Sequence, residues 1–163
     1  MQKDIGVLSQ NVRRNKMVIG VIGESCTGKS ALADKLKYLL NAEVYTGKDY
    51  LRLAKNEDIA KKLFQEKLDE TVSGQHIIYV ISEKEHLQFL PEKAFRVLVT
   101  ADLDIIKERF AKRMKGNLPA PVAVMLERKH GCFDKEAHDI HVVSGQVDLD
   151  EVCVSVRNMI DAL

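Results

Sequence analysis

The sequence has no tryptophan, only three prolines and only three cysteines in 163 residues. An odd cysteine count, with Cys26, Cys132 and Cys153 at no paired spacing, excludes a disulfide framework and suits a reducing compartment. Charge of one sign is not in excess. The formal net charge is +1, so no basic field is available to hold a nucleic-acid polymer or a membrane surface. No apolar stretch approaches the length that crosses a bilayer. Met1-Gln2-Lys3-Asp4-Ile5 lacks the apolar run of a secretory signal, so a cytoplasmic location is expected. No hairpin dipeptide separates the apolar segments, which argues against an antiparallel meander. Apolar residues are nonetheless 45% of the chain, enough for one globular domain with a real core.

The apolar segments alternate between two kinds. Met17-Val18-Ile19-Gly20-Val21-Ile22 is apolar on both faces, as a central parallel strand covered by helices must be. Further strands are expected at 43–46, 75–81, 95–100 and 139–144. Leu32, Leu36, Leu39 and Leu40 form a helical stripe directly after the first strand. Short helices are expected at about 48–56 and 57–72, and a helix from Asp102 with Ile106, Phe110 and Met114 inward. Pro119 and Pro121 open another helix through about Lys129, and a closing helix covers 148–162. This pattern predicts an α/β, three-layer arrangement: a five-stranded parallel sheet with helices on both faces. Residues 1–16, with Arg13, Arg14 and Lys16, read as a solvated extension outside the core, and 17–163 as the domain.

Between the first strand and the first helix stands Gly23-Glu24-Ser25-Cys26-Thr27-Gly28-Lys29-Ser30, a complete G-x-x-x-x-G-K-[ST] in its proper strand–loop–helix setting. Gly23 and Gly28 permit backbone angles that side chains forbid. The N–H groups of such a loop turn inward as an anion nest, and the helix N-terminus adds its partial positive charge. Lys29 brings a full charge to the β- and γ-phosphates of a nucleoside triphosphate, and Ser30 offers a hydroxyl to Mg²⁺. Cys26 inside the loop reads as a small residue that tolerates the turn. Arg109 and Arg113, one helical turn apart, can meet the charge of a phosphoryl group in transfer.

From Met17 to Ile160 the chain resembles the nucleoside monophosphate kinase group, most of all cytidylate kinases. The likeness rests on the phosphate loop, on Tyr45-Thr46-Gly47 with Arg52, on the run from Leu90-Pro91 to Thr100-Ala101, and on Glu108-Arg109-Phe110-Ala111-Lys112-Arg113. It implies an ATP- and Mg²⁺-dependent kinase, monomer or homodimer, acting on a small phosphorylatable acceptor. It further implies an acceptor-binding region at 48–72 and a lid at 114–134. Arg109 would stack on the nucleotide base, Arg113 would reach the phosphates, and Arg128 would be the arginine of the returning lid. Ser144, in Ser144-Gly145-Gln146, would lie near the base, although the sequence alone favours an ordinary strand-to-helix turn. Asp49 is the candidate to orient or deprotonate an acceptor hydroxyl, with a plain N-terminal helix acid as the alternative.

The sequence departs from that family at three places. The arginine after the second strand is Arg52, where the spacing asks for position 51, which is Leu51. The third strand ends in Ile81-Ser82-Glu83-Lys84, where the family carries an acid or Gly-Arg; Glu83 or Ser82 then becomes the candidate for the metal side, directly or through water. The lid motif reads Arg128-Lys129 followed by Asp134 at a longer spacing. These departures leave two alternatives: a catalytically weak nucleotide-binding or regulatory protein, or a shikimate- or gluconate-type kinase. His130, Cys132, His138 and His141 also cluster near the lid in a composition that suits zinc, at a spacing that matches no established zinc pattern. His141 reads as part of the fifth strand, pointing into the sheet.

Overall fold

The computed structural model describes residues 16–70 and 74–163. Most of the 1–16 extension, including Arg13 and Arg14, lies outside the described residues. Strand β1 (Val18–Ile22) is buried along its whole length, which explains why its sequence shows no polar alternation. Helix α1 (Lys29–Leu40) and β2 (Glu43–Thr46) follow. A 3₁₀ turn at Asp49–Leu53 leads to α2 (Glu57–Asp69), whose first turn is capped by Asn56 Oδ1 accepting from Ile59 N at 3.0 Å. Then come β3 (Ile77–Ile81), a 3₁₀ turn at Lys84–Phe89, and β4 (Phe95–Thr100). Helices α3 (Leu103–Arg113) and α4 (Ala120–Lys129), β5 (Ile140–Val143) and α5 (Leu149–Asp161) complete the chain.

The sheet has five parallel strands in the order β2-β3-β1-β4-β5. β1 is therefore central, between β3 and β4. On one face aliphatic side chains of β1, β3 and β4 meet Leu32, Ala33 and Leu36 of α1 and Val152, Val156 and Ile160 of α5. The other face is aromatic. Phe64 of α2 contacts Tyr45, Tyr50, Tyr79 and Phe89 at centroid distances of 4.9–5.5 Å. The mouth of the sheet, where α1 begins, carries a third small cluster of Cys26, Ala101, Ile106 and Leu126.

Two expectations fail. Lys16 is not a solvated tail residue: it is buried, and its Nζ donates to Lys67 O. Met114 does not point inward with Ile106, because α3 ends at Arg113 and Met114 is exposed beyond it. The sequence reading also gave no element to the 3₁₀ turn at Lys84–Phe89. No helix among the described residues is long and apolar enough to cross a membrane.

Candidate functional site

The phosphate loop is fixed by its neighbours on both sides. Gly23 N donates to Ile81 O of β3 at 3.1 Å. A Cβ at Gly23 would lie 2.2 Å from Val99 O of β4, so only glycine fits between these strands. Thr27 is fully buried and its Oγ1 donates to Glu24 O at 2.8 Å. Gly28 takes φ of 97° and is the N-cap of α1. No side chain caps that terminus and no acid lies in the first turn, so its positive end is left for an anion. Cys26 also takes a left-handed conformation, φ 66°, a strained choice for a residue with a Cβ. Its side chain is buried against Ala101, Ile106 and Leu126.

Lys29 is 5% exposed and its Nζ donates to Glu24 O at 2.5 Å. Burial pulls its pKa down to about 8; Arg113 adds to the lowering, and Cys26 and Glu24 oppose it. The ammonium thus faces a carbonyl oxygen rather than a carboxylate, and a polyphosphate would supply the anionic partner. Arg109 Nη1 donates to Cys26 O at 3.0 Å, which sets the guanidinium over the loop. A cavity of about 680 Å³ opens above. Lys29, Arg109 and Arg113 supply its cations, Ser25, Thr27, Ser30, Thr46, Ser82 and Ser144 its hydroxyls, and Val99, Val142, Val147 and Leu149 an apolar side. No aspartate or glutamate is among its lining residues.

Other candidates lie apart from this cavity. Arg128 is exposed on α4 and does not line it. Asp49 is exposed, and its Oδ2 accepts from Thr46 N at 2.9 Å, a local turn role. Arg52 lies over the Tyr45 ring at 4.6 Å. Glu83 is exposed, faces Lys129 at 3.7 Å and does not line the cavity, whereas Ser82 does. Lys84 pairs with Glu136 at 3.5 Å. The charges of the unusual 82–84 segment are therefore turned toward the end of α4 and the segment that follows it. Glu24 reaches the same segment, with Oε1 3.2 Å from His130 Nδ1 and Oε2 accepting from Gly131 N at 3.1 Å. Phe133, fully buried against the aromatic face, anchors that segment from below.

His130, His138 and His141 share a smaller cleft of about 250 Å³ with Glu24, Asp102 and Asp134. Its geometry does not suit zinc. His141 Nε2 is 2.8 Å from Thr100 Oγ1, the His138 and His141 rings are 5.7 Å apart, and Cys132 packs against the apolar core. Among the described residues no group of three or more His, Cys, Asp or Glu could hold a metal ion. His141 lies in β5, as expected, but its side chain is exposed and lines the cleft rather than pointing into the sheet.

Ser144 N donates to Thr100 O at 2.8 Å, which extends the β4–β5 ladder and carries Ser144 to the cavity edge. The structure thus brings together the phosphate loop, Arg109, Arg113 and Ser144. Sequence reasoning omitted Thr46 from the cavity and gave Ser82 only a secondary place. The signal was present: both follow strand C-terminal ends, where open parallel sheets bind ligands.

The strand order and phosphate loop settle the architecture. The fold is that of the P-loop kinases. A shikimate kinase from Acinetobacter baumannii, solved with shikimate, superimposes with a TM-score of 0.63 at 14% identity, over 94% of this chain and 97% of its own. A gluconokinase from Sinorhizobium meliloti 1021 gives 0.59 at 15% identity, over 92% and 94%. The YorR protein of Bacillus subtilis, solved in complex with phosphorylated GDP, gives 0.57 at 22% identity, over 89% and 96%. No family model matches the sequence, and no curated protein matches it. The P-loop kinase likeness is therefore one of shape.

Proposed function

We propose that this protein is an ATP-dependent small-molecule kinase, which transfers the γ-phosphoryl group to an anionic acceptor resembling a nucleoside monophosphate. The observation that carries the reading is a phosphate loop roofed by two arginines over a cavity large enough for a nucleotide. An acceptor oxygen forms a bond to the γ-phosphorus as the bond to the β-bridging oxygen breaks, and ADP leaves. The loop amides and Lys29 hold the donor, while Arg109 and Arg113 meet the charge spread over the transferring oxygens. Val142, Val147 and Leu149 offer an apolar side to the base. The donor set fits Mg²⁺, since the hydroxyls of Ser30 and Ser82 are hard oxygen donors suited to a hydrated hard cation. When bound, the ion supplies further neutralisation of phosphate charge.

The chemistry of the lining also bears on the acceptor. An alcohol must lose a proton during attack, and a nearby carboxylate usually takes it. A phosphate oxygen is already anionic and needs no base. A cavity lined by cations and hydroxyls without a carboxylate favours the second kind. A hydroxy-acid acceptor is the competing reading, favoured by the likeness in shape to shikimate kinase and gluconokinase over nearly their whole lengths. It would require Asp49 to leave Thr46 N and turn toward the acceptor.

An assay of acceptor-stimulated ADP release against CMP, dCMP, UMP, AMP, shikimate and gluconate tests the proposal. Turnover with a monophosphate is expected. Turnover with shikimate or gluconate alone would move the assignment to the competing reading. Tight ATP binding with no stimulated release by any acceptor would make the protein a nucleotide-binding module.

A further inference from the structure

Two side chains of the phosphate loop turn away from the cavity, and both meet α4 or its end. Cys26 packs with Leu126 of α4 in the small cluster at the mouth of the sheet. The Glu24 carboxylate reaches the residues just past α4, where Oε2 accepts from Gly131 N at 3.1 Å and Oε1 lies 3.2 Å from His130 Nδ1. An ionised carboxylate only accepts hydrogen bonds, so this contact places an imidazole proton on Nδ1. The Glu24 side chain is only 10% exposed. A carboxylate so placed is costly to leave without donors. The surface pairs that also reach this region, Lys129 with Glu83 and Lys84 with Glu136, contribute little. Glu24 is therefore the principal tie between the loop and the segment 130–134. The turn that presents the Gly131 N–H needs a left-handed residue, φ 80°, a conformation glycine takes without strain.

The main chain of the same residue belongs to the phosphate site. Glu24 O accepts from Lys29 Nζ at 2.5 Å and from Thr27 Oγ1 at 2.8 Å. A polyphosphate on the loop competes with this carbonyl for the Lys29 ammonium. Ligand thus acts on the Glu24 backbone while the Glu24 carboxylate holds the segment beyond α4. From this, and resting on the nucleotide reading above, we infer that Glu24 is a positioning residue that couples occupancy of the phosphate loop to the placement of segment 130–134 and the end of α4. The sign of the coupling follows from the structure. With the tie made, the N-terminus of α1 is free of any side-chain cap and open to an anion. The tie therefore belongs to the binding-competent form, and a ligand that selects this form strengthens it. By linkage, the tie tightens the nucleotide by the same factor. Charge alone predicts the reverse: an acid beside a phosphate site repels its ligand, so its removal would tighten binding.

Amide hydrogen exchange at Gly131, followed by NMR on the full chain with and without MgADP, reads the tie directly. In the wild type MgADP is expected to slow this exchange by about 5- to 150-fold, the usual span of coupling between two sites. Calorimetry supplies the reciprocal measurement. Glu24→Ala should weaken MgADP binding by about the factor seen at Gly131 and should abolish the effect of nucleotide on that amide. Glu24→Gln keeps an oxygen for Gly131 N without the charge, so it should restore most of the affinity. A role in folding alone would not make Gly131 exchange depend on nucleotide. Wild-type exchange at Gly131 that MgADP leaves unchanged overturns the proposal, whether or not the variants fold. So does MgADP binding that Glu24→Ala tightens or leaves alone, or affinity equally low in Glu24→Ala and Glu24→Gln. Absence of MgADP and MgATP binding to the wild type overturns the nucleotide reading itself, a result distinct from these.

Discussion

The phosphate loop at 23–30 and the region at 45–69 use their side chains in opposite ways. In the loop, backbone and cations face the cavity while fixed neighbours hold the shape: Val99 O excludes any side chain at Gly23, and Thr27 ties the turn to Glu24 O. In the second region the aromatic side chains face inward. Tyr45, Tyr50 and Phe64 are spent on the aromatic face, Asp49 on a turn, and Arg52 on the Tyr45 ring. The difference teaches that a phosphate site can be written in eight consecutive residues, whereas the region expected to bind the acceptor first has to build its own support. Damage to the loop should therefore strike chemistry, and damage to the second region should strike the fold.

Lys29→Ala is the most severe way to test this. Turnover is expected to fall by about 10²–10³-fold, the usual cost of removing a donor to transition-state charge, with the circular dichroism spectrum unchanged. Retained turnover would contradict the role given to the ammonium. Phe64→Ala works from the other side. Phe64 is fully buried among four aromatic rings, and its loss should cost about 3–5 kcal/mol in chemical denaturation. A cost under about 1 kcal/mol would mean that the aromatic face does not support this region.

The arginines give a finer contrast. Arg113→Ala, on the cavity, is expected to lower kcat by about 10²-fold, in keeping with the value of a donor to transition-state charge. Arg128→Ala, exposed and off the cavity, should stay within about threefold, as surface substitutions usually do. Equal losses at the two sites would show that α4 swings its arginine into the cavity during turnover.

A further contrast is in pH dependence. Lys29 titrates at about 8 in the folded protein and near 10.5 when unfolded. Between those values the unfolded chain holds the extra proton, so this group makes stability rise with pH. Below pH 8 both states are protonated and the full penalty of the buried ammonium applies. Lys29→Met should therefore stabilise the nucleotide-free protein at pH 7 by on the order of 1–3 kcal/mol, and the gap to wild type should narrow as pH rises from 8 toward 10.5. Melting curves at pH 7, 8.5 and 10 measure the gap. A constant gap would refute the lowered pKa.

Much of the fold was readable because its signals are local. A strand apolar on both faces requires cover on both sides, and a stripe at helical spacing requires a partner. The strand positions read from 17–22, 43–46, 75–81, 95–100 and 139–144 match β1 to β5 within two residues at each end. Errors arose where a neighbour distant in sequence decided the outcome. Lys16 reads as polar until the Lys67 carbonyl appears beside it. The direction of the His141 side chain follows from Thr100 on the neighbouring strand, which lies beside its ring.

The sequence alone determined the phosphate loop and the alternating parallel architecture. Both are legible from residue types at short fixed spacing and from the demand that apolar faces be covered. Only the tertiary structure decided which charges line the cavity. Glu24, Asp49 and Glu83 look available in the sequence, but partners brought near by folding turn Glu24 and Glu83 away, and Asp49 is held in its own turn. A carboxylate's direction is set by the strongest donor within reach, and the identity of that donor is a property of the assembled chain.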